Sequence, residues 1–556
     1  MKPLSEYPRP QFKRDSYLSL NGEWDYKISK NFAIPEEFEG KIIVPYSPEV
    51  EINKHINHIL QPDEYLFYKL VFDVEKEFIK DLVYLHFLGV DQSCDVYLNN
   101  VEIGHHVGGF TPFKFEIKEH IKEKNNVLIL RVKDVTDTSY HSRGKQRIKR
   151  GGIWYTPQSG IYLPVFLESV HFDHIEDVKM TPDIDKEELI IFVKSKKDKC
   201  HIHIINKKMD INCNENVHIH IDNMHLWSTE DPYLYPIIFK VGEDEVESYF
   251  AMRKFSIIED GKGIKRLALN NKPIFMKGVL DQGYYKKGLL TPESYDDYRK
   301  DIELAKSLGF NVIRKHIKIE IPIWYYECDK RGMIVWQDFV NGGTGYLPNI
   351  ITLPLFLHNN LKDHHYHLFS RKHLEGRKEA LEEFKTTINY LYNSPCIALW
   401  TIFNEGWGQF NAKEVYEEML KLDNSRMYDH ASGWHDQHIG DIKSMHVYFQ
   451  KVRMPKREKR CIILSEFGGL VLPIKGHLMK GNSVYTKYEN KEAYLEAYKR
   501  MVIRDVVNNI PKGLSASIYT QLSDVEEETN GFITFDREIV KCDVDKIKEI
   551  NDLIHL

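Results

Sequence analysis

The chain has 556 residues, more than one compact domain usually holds. Hydrophobic residues make up 42% and charged residues 28%, the profile of a globular protein, and a net charge of −6 removes the electrostatic case for nucleic acid or a membrane surface as partner. Seven scattered cysteines without C-x-x-C spacing read as reduced structural thiols, which predicts a cytoplasmic protein; the N-terminal MKPLSEYPRPQFKRD has no apolar signal core, and no stretch approaches a membrane span.

Residues 1–172 read as all-β. The runs LFYKLVFDV, LVYLHFLGV, CDVYLNN and VLILRVKDV are short, β-branched and aromatic, and turn residues separate them. Asn99-Asn100 before Val101-Glu102-Ile103 predicts a hairpin turn, and strands at this spacing predict a jelly-roll β-sandwich. Residues 173–256 alternate again in LIIFVKS, CHIHIINKK, VHIHIDN and YPIIFKV, which predicts an immunoglobulin-like β-sandwich.

From residue 257 to 556 strands and helices alternate. The strand candidates are FMKGV, NVIRKH, MIVWQDF, IALWTIFNE, MYDHASG, DIKSMHVY, CIILSEFGG and GLSASIYTQLSD, with helices over 292–308, 321–331, 375–393 and 411–422. Eight strands predict a closed (β/α)8 TIM barrel. An insertion, roughly 341–374, follows the third strand.

Two carboxylates stand out on this barrel. Glu405 and Glu466 each end an apolar strand at a polar tip followed by glycine. Barrel strands end where the loops form the open face, and catalytic groups collect there. Two glutamates at such tips are what glycoside hydrolysis requires: one acid, and one nucleophile or base. A single glutamate at a strand end is more often solvated or ion-paired. Aromatic residues at 12% fit a carbohydrate binder, since sugar C–H faces stack on rings, and fit an aromatic-rich core equally well.

The strings around these glutamates carry a resemblance. Asn404-Glu405-Gly406-Trp407 resembles the acid/base motif of glycoside hydrolase family 2, which contains β-galactosidases, β-glucuronidases and β-mannosidases, and Ser465-Glu466-Phe467-Gly468-Gly469 resembles its nucleophile motif. LSLNGEWDYKI, LHFLGVDQSCDVYLNNVEIGHHVGGFTPF and GGIWYTPQSGIYLPVFLE resemble the N-terminal jelly roll of that family, and LWSTEDPYLY resembles its middle domain, all in family order.

The resemblance implies a retaining double displacement. Glu466 attacks the anomeric carbon; Glu405 protonates the leaving oxygen and later deprotonates water, with its pKa raised by Glu466 and by burial. It implies that Asn404 meets the sugar 2-hydroxyl, that Tyr448 orients the nucleophile, with His446 as an alternative at that place, and that Arg314 supports the nucleophile carboxylate. His316, Asp281, Asp338, Trp434 and Asp524 lie at or after strand ends, where each either holds the sugar or serves the scaffold.

Other features bear on specificity and metals. β-Glucuronidases carry an N-x-K signature before a G-[IF]-x-T-x-D-R segment; here that segment is GFITFDR, and Glu528 and Asn530 occupy the matching positions. The acidic run Val525-Glu526-Glu527-Glu528 predicts repulsion of a uronate, hence a neutral sugar, with galactose the best single expectation. His364, His365, His367 and His373 resemble a metal cluster, yet two are adjacent and no H-E-x-x-H is present, so a pocket wall is expected instead and no metal ligand is assigned. A magnesium or sodium ion near the acid/base, as in some family members, stays open, and so does a homo-oligomer. The competing readings are a non-catalytic carbohydrate-binding protein on a decayed hydrolase and a metal-dependent barrel hydrolase.

Overall fold

A computed structural model describes residues 2–355, 360–479 and 485–556. Two antiparallel sheets, one of four strands and one of six, face each other across the first module, with strands between Tyr17 and Val170. Alternating side chains such as Leu66, Tyr68, Val83, Leu85, Leu128 and Leu130 fill the space between them. The predicted hairpin is present: Ser93–Leu98 pairs with Val101–Val107, and Asn99 and Asn100 both have positive φ, the conformation a two-residue turn requires. The second module is a sandwich of a three-stranded and a four-stranded sheet between Ile175 and Phe250.

The third region does not begin directly with a barrel strand. Phe255–Glu259, Lys265–Leu269 and Lys272–Pro273 form a small antiparallel sheet. It lies against the start of the last barrel strand, where Arg266 donates to the carbonyls of Leu514 and Ile510. The barrel strands follow: β1 (Met276–Asp281), β2 (Val312–Lys315), β3 (Ile334–Asp338), β4 (Ile397–Thr401), β5 (Met427–Asp429), β6 (Ile442–Val447), β7 (Cys461–Gly468) and β8 (Leu514–Thr520). All are parallel, in the order β5-β4-β3-β2-β1-β8-β7-β6. Among the described residues no ladder joins β5 to β6, so the barrel is closed except for this seam.

Helices cover the outside. Tyr295–Ser307 begins at a capping box in which Ser294 and Asp297 satisfy each other's backbone N–H groups. Pro322–Arg331 starts on proline and stops at Gly332 in the left-handed conformation. Leu374–Leu391 and Ala412–Leu422 follow as expected; Lys491–Met501, which runs on in tighter and wider turns to Lys512, and Val544–Asp552 were not anticipated. All seven cysteines are buried and unpaired. Among the described residues no helix is long and apolar enough to cross a membrane.

One connection between modules decides what the barrel mouth contains. A strap over residues 140–158 leaves the first module and lies across the C-terminal face of the barrel. On one side Arg143 and Gly144 donate to the carbonyl of Asn341, at 3.0 and 3.1 Å. There Gly342 is required because a side chain would meet the carbonyl of His141 at 2.2 Å. On the other side the N–H groups of Gly152 and Thr156 donate to Glu527 and Glu526.

Candidate active site

Glu405 lies four residues beyond β4, in a backbone conformation with φ of 52° that side chains rarely adopt. Its N–H donates to Ser432 and its carbonyl accepts from Trp434 Nε1 at 3.0 Å. Gly406 continues the left-handed turn where a Cβ would meet His435 at 2.5 Å. Such a strained turn, fixed from several sides, is a common feature of functional sites. Glu466 is aimed differently. Around Ser465 the pairing of β7 slips by a residue against both neighbours, and this bulge presents Glu466 to the barrel mouth.

The two glutamates share one pocket. An oxygen of each, with a nitrogen of His446 between them, falls within a 4.8 Å cluster. His446 Nδ1 lies 2.8 Å from Glu405 Oε1, and its Nε2 is 2.9 Å from Ser432 Oγ and 3.5 Å from Glu466 Oε1. Tyr448 donates its hydroxyl to Glu466 Oε2. Arg314 is fully buried; it donates to Glu466 Oε1 at 3.1 Å, to Asn404 Oδ1 at 2.7 Å, and with two nitrogens to Asp338.

These surroundings push the two carboxyls apart. Burial raises Glu405 above the ordinary carboxylate range; the His446 bond opposes this and the charge of Glu466 reinforces it. Burial alone would raise Glu466 too, but His446 and Arg314 outweigh it and hold Glu466 at about 2. The two carboxyls are thus shifted in opposite directions, Glu405 toward holding its proton and Glu466 toward losing it. His316, bonded to Asp338 at 2.7 Å, is pushed down to about 4 by burial and faces the pocket as a neutral ring.

Arg314 balances two buried carboxylates, so Arg314→Met is expected to destabilise the protein by about 3–5 kcal/mol, the scale for stranding buried charge. Thermal denaturation at neutral pH measures this; an unchanged transition temperature contradicts it.

The cavity holds about 600 Å³, and Glu405, Glu466, Tyr448, His316, Gln282 and Thr520 lie on its wall. Trp407 and Trp154 add a ring surface, their centroids 5.1 Å apart. Asn404 and Arg314 stand directly behind the glutamates, and the Asn404 Nδ2 has no partner among the described residues. Asp338 is one layer further back, spent on Arg314 and His316.

Three expected sugar contacts fall elsewhere. Asp281 is buried against Lys315 at 2.6 Å and does not line the cavity, because that lysine, also bound by Glu320, needs a counter-charge inside the barrel wall. Asp524 is likewise held by Lys541 at 2.6 Å and by the N–H of Gly531. Trp434 borders a smaller neighbouring cavity; its indole is tied to the Glu405 carbonyl and meets the His446 ring edge-on.

The acidic run also divides. Glu526 pairs with Arg150 and, like Glu527, accepts from the strap, while only Glu528 faces the cavity. His364, His365, His367 and His373 do not form a three-ligand group among the described residues; His373 packs on the Tyr140 ring. Residues 356–359 of that insertion lie outside the described residues.

Two groups beside the glutamates escaped sequence reasoning. His446 emerged only as a substitute for Tyr448, whereas each has its own glutamate. Lys145 reaches the cavity on the strap, with Trp154 from the quoted GGIWY string; nothing in the local sequence around Lys145 signals that placement.

Comparison with known proteins is consistent across the whole chain. Residues 262–555 match the model "Glycosyl hydrolases family 2, TIM barrel domain", residues 46–158 the "Glycosyl hydrolase 2 galactose-binding domain-like" model, and residues 173–253 "Glycosyl hydrolases family 2". A β-galactosidase of Thermoanaerobacter pseudethanolicus is 25% identical over 83% of this chain, which spans 62% of that relative's length. The β-galactosidase large subunit of Lactobacillus helveticus is 24% identical over 78% of this chain and 76% of its own. In fold the chain is similar to the β-glucuronidase of Ruminococcus gnavus, with a TM-score of 0.78 at 16% identity, covering 99% of both chains.

Proposed function

The chain belongs to glycosyl hydrolase family 2, and from that premise we propose that it is a retaining exo-β-glycosidase acting on terminal neutral sugars, most similar in action to a β-galactosidase. The observation that carries this reading is the pair of glutamates in one cavity, with His446 between them, Glu405 raised above and Glu466 held below the ordinary carboxylate range. Retaining glycosidases separate their carboxyl groups by roughly 5–5.5 Å and inverting ones by roughly 6.5–9.5 Å. Oxygens within 4.8 Å of each other support the shorter class.

Glu466, ionised and steadied by Arg314 and Tyr448, attacks the anomeric carbon. Glu405 gives its proton to the departing oxygen, then takes one from the water that releases the sugar. Asn404, with its Oδ1 fixed by Arg314 and its Nδ2 unpartnered, suits a bond to the sugar 2-hydroxyl that tightens in the transition state. Glu528 on the cavity wall favours a neutral sugar over a uronate, and the β-galactosidase relatives support a galactose-like sugar. The proposed chemistry calls for no cofactor, since its acid and its nucleophile are both side chains: Glu405 is bonded to His446, and Glu466 to Arg314 and Tyr448. Seven unpaired buried cysteines support a cytoplasmic setting.

A panel of aryl β- and α-glycosides tests the reading. Turnover of β-galactoside above β-glucuronide supports it; a panel with no hydrolysis returns the decayed, binding-only alternative. The pH dependence is a separate expectation. Activity needs Glu405 protonated, so kcat/KM falls as pH rises through its elevated pKa. It needs Glu466 ionised, and with that group near 2 the acid side stays flat until the protein itself unfolds. A steep acid limb at pH 5 to 6 in folded protein, roughly the region of a free histidine, contradicts this assignment.

A further inference from the structure

Lys145 is the charged group of the cavity that the proposed reaction leaves unused. Its side chain is nine-tenths buried, at 6% exposure, and lines the cavity beside Glu405 and His316. Its ammonium is 3.9 Å from Glu528 Oε2, beyond hydrogen-bond reach. Its other neighbours are the faces of the Tyr155 and Trp407 rings, at 5.3 and 5.8 Å. No hydrogen bond from its three donors to protein is present among the described residues, so they remain available to a ligand in the cavity. Glu528 is 3% exposed; Tyr155 donates its hydroxyl to Oε2, and the carboxylate stays on the cavity wall.

The two groups come from different modules. The strap delivers Lys145 and is anchored by Asn341 on one side and by Glu526 and Glu527 on the other. The loop after β8 delivers Glu528. The anchoring glutamates immediately precede Glu528, so the same loop fixes the positions of both partners. A separation near 4 Å is too long for a mutual bond. Each group can instead reach a different hydroxyl of one sugar ring.

We propose that Lys145 and Glu528 form a two-sided specificity clamp at the sugar-binding end of the cavity, the ammonium donating to one hydroxyl oxygen and the carboxylate accepting from an adjacent hydroxyl. This rests on the reading of the cavity as a glycosidase site and names what selects its sugar. In the intact clamp the charges cancel, so a uncharged hexose satisfies both groups. A uronic acid places a carboxylate where Glu528 already supplies one. Removing the Glu528 charge leaves Lys145 uncompensated and turns the subsite toward anionic sugars.

The test compares wild type, Lys145→Met and Glu528→Gln with two readouts. The first is kcat/KM on p-nitrophenyl β-galactoside, its 6-deoxy analogue (the β-fucoside), the C4 epimer (the β-glucoside), and the corresponding β-galacturonide and β-glucuronide. The second is calorimetric binding of free galactose and free galacturonate, which needs no turnover. Each variant should lose about 10- to 100-fold on the β-galactoside, the scale of a hydrogen bond to a charged group. The loss should be smaller on at least one substrate that lacks or inverts the hydroxyl read. Glu528→Gln should raise the ratio of uronate to neutral sugar at least tenfold in both readouts.

Equal losses on every substrate in both variants would reduce the pair to a structural role and overturn the proposal. An unchanged or lower uronate-to-neutral ratio in Glu528→Gln would overturn it as well, and so would the absence of any variant-dependent change in either readout. A wild type that hydrolyses nothing, while Glu528→Gln shifts binding toward galacturonate, would sink the glycosidase reading and leave the clamp standing.

Discussion

Glu466→Gln is expected to leave a folded protein with turnover reduced on the order of 10⁴-fold or more, the scale for deleting a nucleophile on which every step depends. The substitution keeps the shape of the side chain and one acceptor oxygen but removes the charge that Arg314 and His446 stabilise. Arg314 still has Asp338, so the buried guanidinium keeps a counter-ion and the fold should survive. Denaturation curves taken with the kinetics separate loss of chemistry from loss of structure. A variant with near-normal rates on any glycoside would remove Glu466 from the nucleophile role.

Glu405→Gln should produce the second-largest effect, and a different one. The amide cannot protonate the leaving oxygen, so substrates with poor leaving groups should lose about 10²–10⁴-fold, the usual contribution of general acid catalysis. Activated aryl glycosides, whose leaving groups need no proton, should lose far less in the first chemical step. The high-pH decline assigned to Glu405 should also disappear, because the titrating group is gone. Equal losses across leaving groups, with the high-pH decline retained, would mean that another residue is the acid. His446, 2.8 Å from Glu405, is the nearest candidate.

What could be read from the chain beforehand followed a physical division. Strands and their tips announce themselves locally: β4 and β7 are apolar runs, with Glu405-Gly406 four residues past the one and Glu466-Phe467-Gly468 closing the other, and both glycines have positive φ. Asn404 is legible because it precedes Glu405 in the chain, and Arg314 and Tyr448 through their resemblance to family positions that hold the nucleophile; both bond Glu466. Asp281 and Asp524 look the same in sequence, being acids at strand ends. Their partners neutralise them inside the wall: Lys315 through the pairing of β1 with β2, and Lys541 within the segment after β8. Trp434 misled for a similar reason, since its indole N–H is taken by the Glu405 carbonyl.

Lys145 is the clearest case of what a linear reading misses. Its string, SRGKQRIKRGG, is that of a solvated basic loop. Docking of the first module buries it, through backbone bonds to Asn341 that no side-chain pattern encodes. The acidic run 525–528 reads in sequence as one repulsive surface, yet two of its three glutamates are spent holding that strap. The expected effect on uronates therefore comes down to Glu528, set against the lysine from the other module.

The central claim is a double displacement through Glu466 with Glu405 as acid and base. Proton NMR of the first sugar released from a β-glycoside tests it most directly, before mutarotation mixes the anomers. The β-anomer appearing first is the predicted result; the α-anomer appearing first would mean that water attacks in a single step, and would contradict the mechanism proposed for the two glutamates.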